Sequence, residues 1–369
     1  MTLLQTLAGR RHAVAVCAGI ALLCWPAQAS AEFFSNRDAQ RGITMTQQQC
    51  AALEHAVWVQ VHGHSVCMRY YISTAGGEGS RPVVFLQGDK SWVHNRRTGQ
   101  WRTPPDDGGT HSKTIVRLTD SFSEAAKTTA IYLARMGTDG SSGDHRDRKT
   151  ILELQITNVA LDAIKRRHRF DGFNLAGQSG GATLVGGLLG LRRDIGCAVP
   201  GAGRLSNTPP PPGTPKRKAK APTRPTAKAP PDPLKRFFTG VEFVPAIVKN
   251  AKARILVVTD PQDQTVPYEN QTPFVEALRR AGGKVEHYFI EALDPKHHGV
   301  TGYSRIAVAA CLRGATQTQI SAELAKVMAE RLTERAKREA ETSRKSPSPP
   351  AQPDTTHIRT APKAKLQGA

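Results

Sequence analysis

The sequence predicts an α/β domain organised on a mostly parallel sheet. Three observations carry that expectation. Short, fully apolar runs, such as Val83-Val84-Phe85-Leu86 and Ile255-Leu256-Val257-Val258, recur along the chain with helical segments between them. One of these runs, Phe173 to Ala176, passes directly into a glycine-flanked serine and then an apolar helix. An acidic loop and a histidine loop follow two later runs, in that order.

The chain opens with Arg10 and Arg11, an apolar run over residues 13–25, and the small residues Ala27-Gln28-Ala29 or Ala29-Ser30-Ala31. That is the layout of a cleaved secretory leader, expected over residues 1–29. It is short of the ~20 apolar residues a membrane span needs, and no later stretch is long and apolar enough to cross. A periplasmic or secreted protein is therefore expected. Residues 47–58 have helical character, and residues 59–73 read as one strand on which His62 and His64 would share an exposed face.

Residues 81–89 read as a strand buried on both faces and ending in Gln87-Gly88-Asp89. Trp92, His94 and Trp101 follow in a polar loop. Residues 128–135 form the next apolar strand, and the polar loop 136–148 after it should border a site, because ligands in open α/β sheets sit outside the carboxyl ends of the strands. Ile151 to His168 has one apolar face at helical spacing. Further strands are expected at 170–176, 195–201, 253–260 and 285–292, with helices at 180–191, 271–281 and from Tyr303 to about Lys337.

Two segments break this alternation. Residues 208–233 are dominated by Pro, Lys, Ala and Thr, and residues 343–369 by Pro, Ser, Lys and Ala; neither can bury a core, so both are expected to be disordered. The folded part is then one domain over residues 32–207 and 234–335. The chain carries 51 Lys plus Arg against 31 Asp plus Glu, a net charge of +20. Much of the excess lies in those two segments, so it suggests weak electrostatic contact with anionic surfaces and not a specific nucleic-acid partner.

Cys50, Cys67, Cys197 and Cys311 remain after the leader, an even number that favours disulfides in an exported protein. Of the three pairings open to four cysteines, Cys50 with Cys67 and Cys197 with Cys311 are favoured. The first is local, and the second would tie a strand end to the C-terminal helix. None has metal-site spacing, and no cofactor is expected.

The chemistry centres on Gly177-Gln178-Ser179-Gly180-Gly181. A serine held on a sharp strand-to-helix turn needs small neighbours, and the helix behind it offers unpaired N–H groups to a developing negative charge. Asp263 lies after the 253–260 strand, three residues ahead of Val266-Pro267, with Asp260 as the alternative acid. His298 lies after the next strand, before Gly299, with His297 as the alternative base. The order Ser, Asp, His is the order such a site requires.

Gly177 to Gly181, Asp263 with Val266-Pro267, and His298-Gly299 together resemble the α/β hydrolases, most of all their prolyl-oligopeptidase-like and dienelactone-hydrolase-like branches. The resemblance covers roughly residues 65–205 and 237–330. It implies an eight-stranded, mostly parallel sheet with helices on both faces, and hydrolysis of an ester or amide bond through an acyl-enzyme. Ser179 would be the nucleophile, His298 the base and Asp263 its acid partner. Backbone N–H groups of Gln178 and of Gly88 or Asp89 would hold the oxyanion. Gln87 stands where many relatives have histidine, and no β-propeller precedes the domain. The loop 137–145 also resembles a feature of an exported subgroup. The substrate expected is a small molecule or short peptide, contacted by Trp92, Ser141, Ser142, His145 and Arg146. A non-catalytic protein of the same fold, binding anionic envelope polymers or nucleic acid through its basic segments, is the alternative.

Overall fold

The computed structural model describes residues 32–90, 93–94, 101–102, 108–207, 232–250 and 252–345. The expected leader, nearly all of the Pro/Lys-rich insertion and most of the C-terminal tail lie outside the described residues. The core is an eight-stranded sheet. Its strands are β1 (Ala56–Val61), β2 (His64–Ser73), β3 (Val83–Leu86), β4 (Ala130–Leu133), β5 (Phe173–Gln178), β6 (Ile195–Gly201), β7 (Arg254–Thr259) and β8 (Val285–Phe289). They lie side by side in the order β1-β2-β4-β3-β5-β6-β7-β8. β2 runs antiparallel to both β1 and β4, and every other neighbouring pair is parallel.

Six longer helices flank the sheet: α1 (Ser112–Ala126), α2 (Ile151–His168), α3 (Gly180–Leu191), α4 (Thr272–Arg280), α5 (Thr301–Leu312) and α6 (Gln317–Lys345). Because side chains alternate across a strand, β3 feeds two cores. Val84 and Leu86 join the layer under α2, α3 and α4, while Val83 and Phe85 join the layer under α1, α5 and the start of α6. Burial on both faces explains why these strands read as continuous apolar runs.

The structure departs from the sequence expectation at identifiable places. The strand expected over 59–73 is a hairpin: His62 and Gly63 both adopt positive φ, 46° and 83°, the conformation two-residue hairpin turns require. His62 is therefore an exposed turn residue, and His64 opens β2, 3.9 Å from Asp232. The helix expected over 47–58 stops at Ala51, and the chain re-enters as β1 at Ala56. Helix α1 was not expected, because Thr119 and Ser123 interrupt the apolar positions on its buried face. The segment from Tyr303, whose sequence allows one helix or more, is two helices separated at Gly314, where φ is 72°, and α6 runs to Lys345, two residues past the point where disorder was expected to begin.

Both expected disulfides are present. Cys50–Cys67 pins the short helix at Gln47–Ala51 to β2, and Cys197–Cys311 ties β6 to the end of α5. Among the described residues no helix is long and apolar enough to cross a membrane.

Candidate active site

The parallel strands deliver their carboxyl ends, and the loops after β3, β4, β5, β7 and β8, to one edge of the sheet, where open α/β sheets place ligands. Ser179 stands at the centre of that edge, between β5 and α3. Its backbone, at φ 54° and ψ −118°, is one that L-residues rarely adopt, and such a conformation costs on the order of 1–3 kcal/mol. A serine before a helix ordinarily turns its hydroxyl back to cap the first turn. Ser179 makes no such bond, so its hydroxyl is left for other chemistry.

The flanking glycines are required by contact. A Cβ on Gly177 would lie 2.7 Å from the Gly181 carbonyl, and one on Gly181 would lie 2.0 Å from the Leu86 carbonyl oxygen. Because Gly180 is the first residue of α3, its N–H has no helical acceptor. Gln178, also expected to supply an N–H there, belongs to β5, and its side chain has another task.

That task concerns the histidine loop. The Gln178 amide donates to the His298 carbonyl at 3.0 Å and accepts from the Thr301 hydroxyl. Asp294 accepts the N–H groups of His298 and Gly299 at 2.9 and 2.6 Å. Asp263 is buried, and its Oδ1 accepts the N–H groups of Thr265 and Val266 at 2.7 and 2.9 Å. Its Oδ2 lies 2.7 Å from His298 Nδ1. A carboxylate can only accept, so Nδ1 carries the proton and Nε2 is left with a lone pair.

The alternative acid and base pair with each other. His297 Nδ1 sits 3.2 Å from Asp260 Oδ2, which also accepts the Ala292 N–H at 2.7 Å. Asp260 thus joins the β7 and β8 loops, and the structure separates it from the Asp263–His298 pair. The fold is that of the α/β hydrolases.

Neither a protein-family model nor a curated protein matches the chain. Solved structures with a similar course of the chain include the Pyrococcus furiosus esterase Pf2001, 13% identical over 75% of this chain and 98% of that one, with a TM-score of 0.47. Est1E from Butyrivibrio proteoclasticus with ferulic acid bound is 17% identical over 68% and 96%, with a TM-score of 0.41. The acylaminoacyl peptidase of Pyrococcus horikoshii is 11% identical over 67% and 39%, with a TM-score of 0.40.

Within this α/β-hydrolase fold, the residues expected to touch substrate are distributed differently from the sequence expectation. The Ser142 hydroxyl accepts the Cys67 N–H at 2.8 Å. The Ser141 hydroxyl accepts the Arg69 N–H at 2.9 Å and donates to the Ala134 carbonyl at 3.1 Å. Both serines are buried, and their hydroxyls fasten the loop to β2. His145 is also buried, with Nδ1 3.1 Å from the Met136 carbonyl and Nε2 3.4 Å from the Lys90 N–H. The carbonyl can only accept, so Nδ1–H donates and neutral Nε2 accepts. Burial, reinforced by Arg135, holds this imidazole down to about 3. Arg146 is exposed and pairs with Asp144 beside it. Trp92 lies outside the described residues.

A charged cluster that the sequence did not announce braces the loop after β3. Arg135, at the end of β4, is fully buried and bonds Glu153 of α2 through Nε and a terminal nitrogen, both at 2.9 Å. Its other terminal nitrogen reaches Asp89 at 2.7 Å. Lys149 and Arg148 also reach Asp89. Burial opposes the Asp89 charge, but Arg135 and Lys149 outweigh it and hold the carboxyl well below its usual range. The one sequence signal was an arginine closing an apolar strand, which reads equally well as an ordinary strand end.

Proposed function

We propose that this protein is an exported serine hydrolase that cleaves an ester or amide bond in a small molecule or short peptide through an acyl-enzyme. His298 Nε2 takes the Ser179 proton as Oγ attacks the carbonyl carbon. The tetrahedral oxyanion is held by the N–H groups of Gly180 and Gly88. His298 returns the proton to the departing alkoxide or amine, and water repeats the cycle to release the acid. Asp263 keeps the imidazole in the tautomer whose Nε2 is bare and stabilises its charge once it is protonated.

The observation that carries this reading is the 2.7 Å contact between Asp263 and His298 Nδ1, on a loop tied by Gln178 to the serine turn. The strained backbone at Ser179 supports it. The two disulfides support export to an oxidising compartment, either the periplasm or the exterior. Hydrolysis of p-nitrophenyl acyl esters and of peptide amides by the purified protein tests it. The wild type should turn over one of these classes, and Ser179→Ala and His298→Ala should each lower kcat by at least about 10³-fold. Equal turnover by Ser179→Ala would overturn the assignment.

A further inference from the structure

We propose that Arg135 is the positioning residue of the oxyanion donors: its buried guanidinium holds the Gln87–Asp89 turn so that the Gly88 N–H faces the carbonyl attacked by Ser179. The proposal rests on the serine-hydrolase reading above and adds to it a residue outside the Ser179–His298–Asp263 set.

The geometry runs through one peptide unit. Arg135 donates to the Gln87 carbonyl at 3.3 Å and to Asp89 Oδ1 at 2.7 Å from the same terminal nitrogen. The chain has no cis peptide among its described residues. In a trans unit the carbonyl and the following N–H point to opposite sides. Pinning the Gln87 carbonyl to Arg135 therefore turns the Gly88 N–H away from the guanidinium. Among the described residues no group accepts that N–H. Gly88 borders the serine: a Cβ there would lie 3.2 Å from Ser179 Cβ and 3.8 Å from its hydroxyl.

The same ion pair supports the second donor. A Cβ on Gly180 would meet Asp89 Oδ1 at 2.0 Å and Arg135 at 2.5 Å. The Arg135–Asp89 pair therefore packs directly against the first residue of α3. Arg135 is fixed in turn by its two bonds to Glu153, whose carboxylate also accepts the Lys149 N–H. Asp89 is held from its other side by Lys149 and Arg148. Holding Glu153 and the turn together needs a planar fork of donors. Lysine, a single point charge, offers no such fork.

The test compares wild type, Arg135→Lys and Asp89→Asn in steady-state ester hydrolysis, in binding of a boronic acid that mimics the tetrahedral adduct, and in thermal unfolding. Arg135→Lys should lower kcat about 100-fold, the scale of one lost oxyanion donor, with KM within about threefold and boronate affinity falling in step with kcat. Asp89→Asn keeps the Arg135–Glu153 pair and should fold as wild type while losing about 10-fold in kcat. It decides the question if Arg135→Lys does not fold. Lowered melting temperatures with unchanged kcat and boronate affinity would reduce Arg135 to a structural residue and overturn the proposal. If the wild type neither turns over esters nor binds the boronate, the serine-hydrolase reading itself fails, and this proposal with it.

Discussion

At the residue scale, the sequence singled out Ser179, Asp263 and His298, and the structure brings the last two within 2.7 Å of each other. The pairing of Asp263 with His298 was legible because a Ser-Asp-His triad would fix the order of its members and the strand ends on which they sit. The choice between His297 and His298 was not legible, since both follow the same strand; the two aspartates, each taking one histidine, separate them. Gln178 had no signal, because its role is to grip the carbonyl of a residue 120 positions away. Replacing it by alanine should free the His298 loop and lower kcat about 10-fold with little change in KM, read from initial rates across substrate concentrations. His145 was expected at the substrate and is instead buried in the loop. Its imidazole is lowered from 6.5 to about 3 in the fold, so between those values the unfolded chain binds more protons. Stability must then fall as pH drops through that window, by about 2 kcal/mol at pH 5. Urea unfolding at pH 7 and pH 5 should show that loss in the wild type and a smaller one in His145→Gln.

At the scale of elements, the parallel strands were readable because burial on both faces writes them as unbroken apolar runs. The β1–β2 hairpin was less so: His62-Gly63 lacks the usual Asn-Gly or Asp-Gly signature, and its turn conformation becomes visible only in the positive φ angles. Helix α1 was hidden by buried Thr119 and Ser123, whose hydroxyls bond backbone carbonyls at 2.8 and 2.7 Å and so can be buried without a polar penalty. The serine turn depends on the close approach of α3 to β3. Gly181→Ala would place a methyl 2.0 Å from the Leu86 oxygen, and both partners are backbone that cannot step aside. A loss of about 1–3 kcal/mol or more in denaturant unfolding is expected, together with reduced activity.

At the scale of the whole molecule, the sheet brings loops from five strands to one edge, and two disulfides cross-link the fold. Cys197–Cys311 closes a loop with a sequence separation of 114, and removing it with a double alanine variant should cost about 5 kcal/mol in equilibrium unfolding. Cys50–Cys67 spans 17 residues and should cost less, about 3 kcal/mol. Composition alone sets residues 208–233 and 343–369 apart from the rest, because both are rich in Pro, Lys and Ala and poor in large apolar residues. The charged brace around Arg135 was illegible for the opposite reason: its members come from four places in the chain and share no spacing. The central claim, that Ser179 is an activated nucleophile, is tested most directly by treating the purified protein with a fluorophosphonate and mapping the adduct by peptide mass spectrometry. The account predicts one adduct, on Ser179, absent in Ser179→Ala and formed far more slowly in His298→Ala. An adduct on another residue, or no adduct in the wild type, would contradict it.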